Sequence, residues 1–288
     1  MKKVGVIGAG VIGAGVAQDF AEHGFRVILI DLTEKKLDQA RSAIYRQLRF
    51  GRLLKTNKIL EDVQLILNRI TFTIDYQYLC DVDVVIENVT EDYYIKKNVY
   101  SDIDLICQSN CIFMVNTSCI SITEIASLTR RKDKVIGVHF MNPVPMKTVV
   151  ECIKGYHTSD ETIQATKTLL LRLQKECLLV NDYPGFVSNR ISHLFMNEAA
   201  FVIQDQVADP QTVDAIFKGA FSHKMGPLET ADLIGIDTVV NSLDVLYQSY
   251  KDPKFRCCPL LRKMVSAGLL GRKVGQGFYQ YQINRCLQ

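Results

Sequence analysis

The sequence predicts an α/β protein built on a doubly wound, mostly parallel sheet and followed by a mostly α-helical C-terminal domain. An apolar run at residues 3–8 leads into a glycine-rich turn, residues 11–23 have helical periodicity, and a second apolar run covers 25–31. Strand, helix and strand in this order form a βαβ unit. Further short apolar runs, typical of parallel strands buried on both faces, occur at 83–87, 111–115 and 134–138.

The chain length favours two domains, because 288 residues exceed what one core usually organises. Residues 181–186 (NDYPGF) have the turn chemistry expected where one element stops and another begins. From residue 187 to residue 270 the apolar pattern is helical, with short interruptions before Pro210, Pro227 and Pro253. We therefore expect a first domain over 1–183 and an α-helical second domain over 184–288.

Composition argues against several function classes. The net charge of +3 is too small to imply binding of nucleic acid or of a membrane surface. No apolar run approaches the roughly 20 residues that span a bilayer, and no signal-like segment precedes the first strand, so a cytoplasmic location is the expectation. The nine cysteines lack the paired C-x-x-C spacing of a zinc site, and we predict no metal.

Residues 8–13 (GAGVIG) follow the first strand and open a helix, which is the setting in which a G-x-G-x-x-G pattern indicates a dinucleotide site of the Rossmann type. The first glycine makes the tight turn, the second lets a diphosphate approach the backbone, and the third allows close packing of the helix. The positive end of the helix then faces the phosphates. The cofactor contacts predicted for this turn are Gly8, Gly10, Val11, Ile12 and Gly13.

Asp31 ends the second strand, where a carboxylate can accept hydrogen bonds from both ribose hydroxyls of the cofactor. The same charge repels the 2′-phosphate of NADP, so the sequence predicts NAD. Lys35 and Lys36 lie close enough in the sequence to leave NADP open as a minor alternative.

His139 ends an apolar strand and lies at a carboxyl end of the sheet, the edge at which such folds bind ligands. A histidine with a near-neutral pKa suits the removal of a hydroxyl proton during hydride transfer. Glu151 interrupts a second apolar strand pattern, and a carboxylate in that position needs a partner. We expect Glu151 to accept a hydrogen bond from the His139 ring and to stabilise the imidazolium.

These motifs together resemble the 3-hydroxyacyl-CoA dehydrogenases, and the resemblance extends over nearly the whole chain. It rests on the stretches at 116–118 (NTS), 139–145 (HFMNPVP), 184–190 (PGFVSNR), 225–238 (MGPLETADLIGIDT) and 271–279 (GRKVGQGFY).

The resemblance implies His139 as general base and Glu151 as its orienting acid, with Ser118 and Asn189 bonding to the substrate oxygen and the nicotinamide. It also implies cofactor contacts for Glu87, Lys96, Asn116, Ser118 and Asn142. Judged from the residues alone, Glu87 could equally be a strand-end carboxylate and Lys96 an exposed helix lysine. Asn116 to Ser118 could be a strand-ending turn, and Asn189 a plain helix residue.

The implied reaction oxidises the 3-hydroxyl of a short acyl thioester to a 3-oxo group, or reverses that step. Two departures from the common pattern, at 88–92 (NVTED) and 255–259 (FRCCP), together with 196–201 (MNEAAF), look like members that act on glyceryl or seryl groups of acyl carrier protein, as in methoxymalonyl or aminomalonyl extender-unit biosynthesis for polyketides. Such a carrier is acidic and could dock on basic residues between Lys251 and Lys273. Coenzyme A phosphates could instead bind basic residues of the helical stretch after Asp31. The basic residues of that stretch are Arg46, Arg49, Arg52 and Lys55.

Two other functions remain open from the sequence. A 6-phosphogluconate-type hydroxyacid dehydrogenase shares the glycine pattern, although its lysine-based motif is not evident here. A non-catalytic dinucleotide-binding module is possible because fold does not determine function. The resemblance also implies a homodimer formed through the α-helical domain.

Overall fold

The computed structural model describes residues 2–54 and 61–282, and of residues 52–54 it describes the backbone alone. The chain forms two compact units, Met1–Tyr183 and Pro184–Gln288. In the described part of the chain, no helix has both the length and the apolar character that a bilayer crossing requires.

The first unit is organised by one eight-stranded sheet, with strand order β3-β2-β1-β4-β5-β6-β7-β8. The strands are β1 (Lys3–Ile7), β2 (Arg26–Ile30), β3 (Ile70–Thr73), β4 (Val84–Glu87), β5 (Ile112–Asn116), β6 (Val135–His139), β7 (Val149–Lys154) and β8 (Glu176–Asn181). The order reverses direction at β1, which is the arrangement of a doubly wound sheet. The predicted fold class is confirmed.

β7 departs from the parallel pattern, because it runs antiparallel to β6 and parallel to β8. Its register places Glu151 directly opposite His139. Neither edge strand, β3 or β8, is evident from the sequence, since β3 has only four residues and β8 has no buried residue. The six apolar strand patterns recognised from the sequence all lie in the interior of the sheet.

Helices cover both faces of this sheet. They are α1 (Val11–Glu22), α2 (Glu34–Leu54), α3 (Val63–Leu67), α4 (Tyr93–Ile106), α5 (Ile122–Ser127) and α6 (Asp160–Arg172). The helical stretch expected after Asp31 becomes α2, which has an apolar stripe whose Leu37, Ile44 and Leu48 are buried. α1 is buried along most of its length, with Val16, Ala17 and Phe20 fully inaccessible.

The second unit is helical, with α7 (Ser188–Gln204), α8 (Pro210–Ala220), α9 (Pro227–Ile234), α10 (Ile236–Tyr250) and α11 (Pro259–Ser266). Proline begins three of these helices, where its missing N–H costs no hydrogen bond. The predicted interruptions before Pro210 and Pro227 are therefore helix starts, and that before Pro253 starts a short 3-10 turn.

Two buried aspartates join distant segments of the second unit. Asp214 in α8 accepts hydrogen bonds from the N–H groups of Leu228 and Glu229 at the start of α9, at 2.9 and 2.8 Å. Asp232 in α9 accepts hydrogen bonds from the N–H groups of Phe278 and Tyr279, both at 3.0 Å. Each carboxylate lies against a glycine that leaves room for it. A Cβ on Gly226 would lie 2.2 Å from Asp214, and a Cβ on Gly277 would lie 2.0 Å from Asp232.

Candidate functional site

The glycine-rich turn after β1 has a geometry that side chains cannot enter. Gly8 has a φ of +91°, and a Cβ there would lie 2.6 Å from the carbonyl oxygen of Asn88. A Cβ on Gly13 would lie 1.8 Å from the carbonyl oxygen of Gly8. Both glycines are therefore required for the chain to pass from β1 into α1 at this distance from β4.

The start of α1 differs from those of the neighbouring helices. α4, α5 and α6 are capped by the side chains of Asp92, Ser121 and Ser159. α1 instead begins after Gly10 with neither a side-chain cap nor an acidic residue in its first turn. A Cβ on Gly10 would meet no atom within 4 Å. Amide groups and a positive helix end facing open space fit the diphosphate of a dinucleotide.

Replacing Gly10 with alanine should weaken NADH binding by about tenfold or more, because the added methyl group occupies the space that a diphosphate needs. The free energy of unfolding should hardly change, since the methyl group touches nothing in the protein. Fluorescence titration with NADH and urea unfolding measure the two quantities. Gly219→Ala, also in open space but in α8, is the matched control. Equal NADH affinity in both variants would contradict the assignment.

Asp31 lies at the end of β2 with its side chain 9% exposed. Its two oxygens accept hydrogen bonds from the N–H groups of Ala9 and Leu32, both at 2.7 Å. These bonds tie the carboxylate to the glycine-rich turn and leave further lone pairs for ribose hydroxyls. The Lys36 ammonium lies 3.4 Å from Asp31 and partly offsets its charge.

His139 lies in a hydrogen-bonded row of three side chains at the carboxyl edge of the sheet. Its Nδ1 lies 3.1 Å from Glu151 Oε2, and its Nε2 lies 3.3 Å from Ser118 Oγ. The His139 and Glu151 side chains are 11% and 9% exposed. A carboxylate on one ring nitrogen orients the imidazole, so the other nitrogen faces the hydroxyl of Ser118. The contact expected between His139 and Glu151 is present.

Asn116 ends β5 and connects this row to the neighbouring strands. Its Nδ2 donates a hydrogen bond to Asn88 Oδ1 at 2.7 Å, and its Oδ1 accepts one from the N–H of Phe140 at 3.2 Å. Asn88 also donates a hydrogen bond to the carbonyl of Ile86. Asn88 and Asn116 therefore cross-link the ends of β4, β5 and β6, beside the glycine-rich turn and His139.

Glu87 and Lys96 form a completely buried ion pair below the site. Lys96 Nζ lies 2.8 Å from both carboxylate oxygens and donates a further hydrogen bond to the Asn116 carbonyl at 3.0 Å. Burial raises the pKa of Glu87, and the Lys96 ammonium opposes that rise. The alternative of an exposed helix lysine is wrong. Neither side chain has accessible surface in this structure, and Lys96 supports the Asn116 carbonyl. The expected cofactor contacts of the two residues stay a prediction.

Glu91 is a site residue that the sequence interpretation did not assign to the site. Its Oε1 accepts hydrogen bonds from the N–H groups of Ser118 and Cys119, both at 2.9 Å, and from Thr117 Oγ1. The carboxylate thus fixes the turn that presents the Ser118 hydroxyl to His139. The sequence signal that could have identified Glu91 is a charged residue just beyond the carboxyl end of β4. Its hydrogen-bond partners, however, lie in the turn after β5.

Two predicted residues lie outside this row. Asn142 is exposed in the segment between β6 and β7, and it precedes a cis peptide bond to Pro143. Asn189 belongs to the second unit, where its carbonyl lies 2.9 Å from His193 Nδ1 in the first turns of α7. Among the described residues, no group of three or more His, Cys, Asp or Glu side chains is arranged to hold a metal ion.

Comparison with known proteins places this geometry in a family. Residues 3–183 match the NAD binding domain of 3-hydroxyacyl-CoA dehydrogenase, and residues 185–281 match the C-terminal domain of that enzyme. The chain is 44% identical over 279 residues to a probable 3-hydroxybutyryl-CoA dehydrogenase of Deinococcus radiodurans, covering 97% of this chain and 100% of the relative.

Solved structures agree with the family models. The (S)-3-hydroxybutyryl-CoA dehydrogenase of Ralstonia eutropha matches with a TM-score of 0.93 and 41% identity, over 98% of this chain and 99% of that one. A diketoreductase that acts on dicarbonyl compounds matches with a TM-score of 0.84 and 26% identity, over 98% of this chain and 99% of that one. The chain therefore belongs to the 3-hydroxyacyl-CoA dehydrogenase family, as its sequence motifs predict, and is an NAD-dependent oxidoreductase.

Proposed function

We propose that this chain interconverts a short 3-hydroxyacyl-CoA and the corresponding 3-oxoacyl-CoA, with His139 as the general base. The row Ser118, His139 and Glu151 carries the proposal, because it pairs an oriented imidazole with a hydroxyl at the sheet edge where the cofactor turn also lies. NAD, when bound, supplies the acceptor for the hydride that leaves C3 of the substrate.

The residues of the chain have separable tasks in this reaction. In the oxidative direction His139 Nε2 takes the proton of the 3-hydroxyl group and becomes an imidazolium. Glu151 stabilises that cation through Nδ1, and Ser118 donates a hydrogen bond to the substrate oxygen. We assign Asn189, with Ser118, to the substrate oxygen and the nicotinamide, and Asn142 to a contact with the cofactor, as the family resemblance implies. In the reductive direction the imidazolium returns the proton to the 3-oxo oxygen.

Replacing Glu151 with glutamine should lower kcat by about one to two orders of magnitude, because the amide keeps the shape but does not stabilise the imidazolium. KM should change much less, since Glu151 does not touch the substrate in this assignment. Steady-state kinetics with an acyl-CoA substrate measure both constants. Glu176→Gln, on the exposed edge strand β8, is the control. A wild-type kcat in Glu151→Gln would remove the orienting role.

Coenzyme A is the carrier that we propose. The relatives of highest identity quoted above are named as dehydrogenases of 3-hydroxybutyryl-CoA. Arg46 and Arg49 are exposed on α2 and are available to phosphate groups. The side chain of Arg52 and the whole of Lys55 lie outside the described residues.

The features that suggested an acyl carrier protein have local structural roles. Asn88 is bonded to Asn116 and to the Ile86 carbonyl, and Asp92 caps α4. In the second unit Phe255 and Cys258 are fully buried. Three of the seven basic residues between Lys251 and Lys273 form ion pairs with acidic neighbours: the pairs are Lys254–Asp252, Arg262–Asp244 and Lys273–Asp237. These contacts weaken the case for a carrier-protein substrate.

Turnover of 3-hydroxybutyryl groups on the two carriers tests the proposal. NADH absorbance should grow rapidly with 3-hydroxybutyryl-CoA and at least about tenfold more slowly, at equal concentration, with the same acyl group on acyl carrier protein. Faster turnover of the acyl group on the carrier protein than on coenzyme A would indicate a carrier-protein substrate. Faster turnover of a glyceryl or seryl thioester than of 3-hydroxybutyryl-CoA would indicate the same. No NADH formation from any of these thioesters would overturn the proposed reaction.

We also propose a homodimer formed through the second unit. Along α10, Leu243 and Leu246 are buried within the unit, whereas Val245 and Tyr247 are 41% and 39% exposed. The exposed pair is available for a contact between subunits. Light scattering of the purified protein should give twice the chain mass of 32.6 kDa, and a monomer mass would contradict the proposal.

A further inference from the structure

Lys175 is a buried charged residue that the reaction proposed above does not use. It directly precedes β8, and its side chain is 3% exposed. Its ammonium lies 3.1 Å from Asp19 Oδ2 of α1, and the Asp19 side chain is also 3% exposed. The same ammonium donates hydrogen bonds to the carbonyl of Val144, at 2.8 Å, and to that of Lys147. The ammonium thus makes two hydrogen bonds to backbone carbonyls and one ion pair with a buried carboxylate.

Both carbonyls belong to the segment 140–148, which connects β6 to β7. This segment begins directly after His139 and leads into the strand that carries Glu151. Its first residue, Phe140, is held through its N–H by Asn116. Lys175 therefore holds Val144 and Lys147, while the N–H of Glu176 bonds to the Thr148 carbonyl at 2.7 Å. The segment that they hold is flanked by the proposed base and by the strand that carries its partner.

The other end of this contact is the helix that faces the cofactor. Asp19 lies two turns into α1, whose beginning forms the diphosphate site described above. Gly15 of the same helix packs against Val144, since a Cβ there would lie 3.2 Å from the Val144 side chain. Burial raises the pKa of Asp19 to about 6, against the effect of Lys175. The Lys175 ammonium, 3.1 Å away, opposes that rise and favours the ionised carboxylate.

We propose that Lys175, with Asp19 as its counterion, is a positioning residue that fixes segment 140–148 to α1. This contact sets the distance between the diphosphate end of the cofactor site and the His139–Glu151 pair. The proposal rests on the proposed function for its effect on catalysis. Its structural part concerns the free protein and can be tested without any substrate.

The experiment compares Lys175→Met with the double variant Asp19→Leu/Lys175→Met. The single variant removes the ammonium from the buried Asp19 carboxylate, which keeps His23 Nδ1 as a basic neighbour at 3.5 Å. This variant should be destabilised to urea, whereas the double variant removes both the carboxylate and the ammonium and should regain stability. A positioning role predicts that the double variant still exchanges the amide hydrogens of 140–148 faster than wild type. Its kcat should be lower on the order of tenfold, with KM for NAD changed by less than about twofold.

The control is Asp160→Asn, which alters an exposed pair with Lys154, 3.4 Å apart. If the double variant had the wild-type rate of amide exchange in 140–148 and the wild-type kcat, the proposal would be overturned. The Asp19–Lys175 pair would then have a purely structural role. If the double variant does not fold, Asp19→Asn takes its place, because this substitution keeps the side-chain shape and leaves Lys175 unchanged. Amide exchange of 140–148 at the same rate in Asp19→Asn as in Asp160→Asn would then overturn the proposal. An inactive wild-type enzyme would contradict the proposed function alone, since the exchange measurement needs no turnover.

Discussion

Replacing His139 with glutamine is expected to lower kcat by roughly a thousandfold, because the reaction then lacks the group that takes the hydroxyl proton. Glutamine retains much of the size of the ring but cannot accept a proton at neutral pH. Affinity for NADH should stay within about twofold, because the glycine-rich turn and Asp31 lie on other strands. Stopped-flow turnover and fluorescence titration with NADH separate the two effects.

The matched control is His157→Gln, which makes the same change at an exposed histidine of the first unit. It should leave both constants unchanged. If His139→Gln retained more than about a tenth of the wild-type kcat, a group other than His139 would have to carry the proton. A loss of NADH affinity equal to the loss of rate would instead indicate that the change had disturbed the cofactor site.

The parts of this site that the sequence predicts are those encoded by short segments. The glycine-rich turn, α1 and Asp31 follow one another within one βαβ unit, and each has a local pattern. The position of His139 also follows locally, because it ends a buried strand and the carboxyl ends of parallel strands share one edge. Glu151 was expected as its partner because it interrupts an apolar strand pattern, and the family resemblance implies the same role.

The sequence does not show the strand pairing on which contacts between distant segments depend. Glu151 faces His139 only because β7 is antiparallel to β6 and in that register. Glu91 reaches the turn after β5 only because β4 and β5 are neighbours. Lys96 illustrates the same limit, since its position on α4 gives no indication that the helix buries it against Glu87. Partners far apart in the chain leave no periodic signal.

Asn88 shows that an unusual polar residue can have a structural role. A polar side chain where small apolar ones are common suggests a group that contacts the substrate. In the structure, both ends of its amide are bonded to the protein, to Asn116 and to the Ile86 carbonyl. Its chemistry is used to connect strand ends, so the residue identity alone does not indicate a special substrate.

The buried pair of Glu87 and Lys96 leads to the largest stability effect that we expect. Replacing Lys96 with methionine should lower the free energy of unfolding by about 3–5 kcal/mol, because Glu87 then lacks its counterion in a fully buried position. The Asn116 carbonyl also loses a donor, so activity should fall together with stability. Lys97→Met, at the exposed neighbouring position, should change stability by less than about 0.5 kcal/mol.

The loss of unfolding free energy in Lys96→Met, relative to wild type, should increase with pH. Burial raises the folded-state pKa of Glu87 above its ordinary value, and removing the ammonium raises it further. The folded variant then binds more protons than the unfolded chain above the unfolded pKa, so its stability falls as pH increases through that interval. Urea unfolding at pH 5 and pH 8 should therefore show a larger difference from wild type at pH 8. A difference independent of pH would mean that Glu87 remains ionised without Lys96, and that another group compensates its charge.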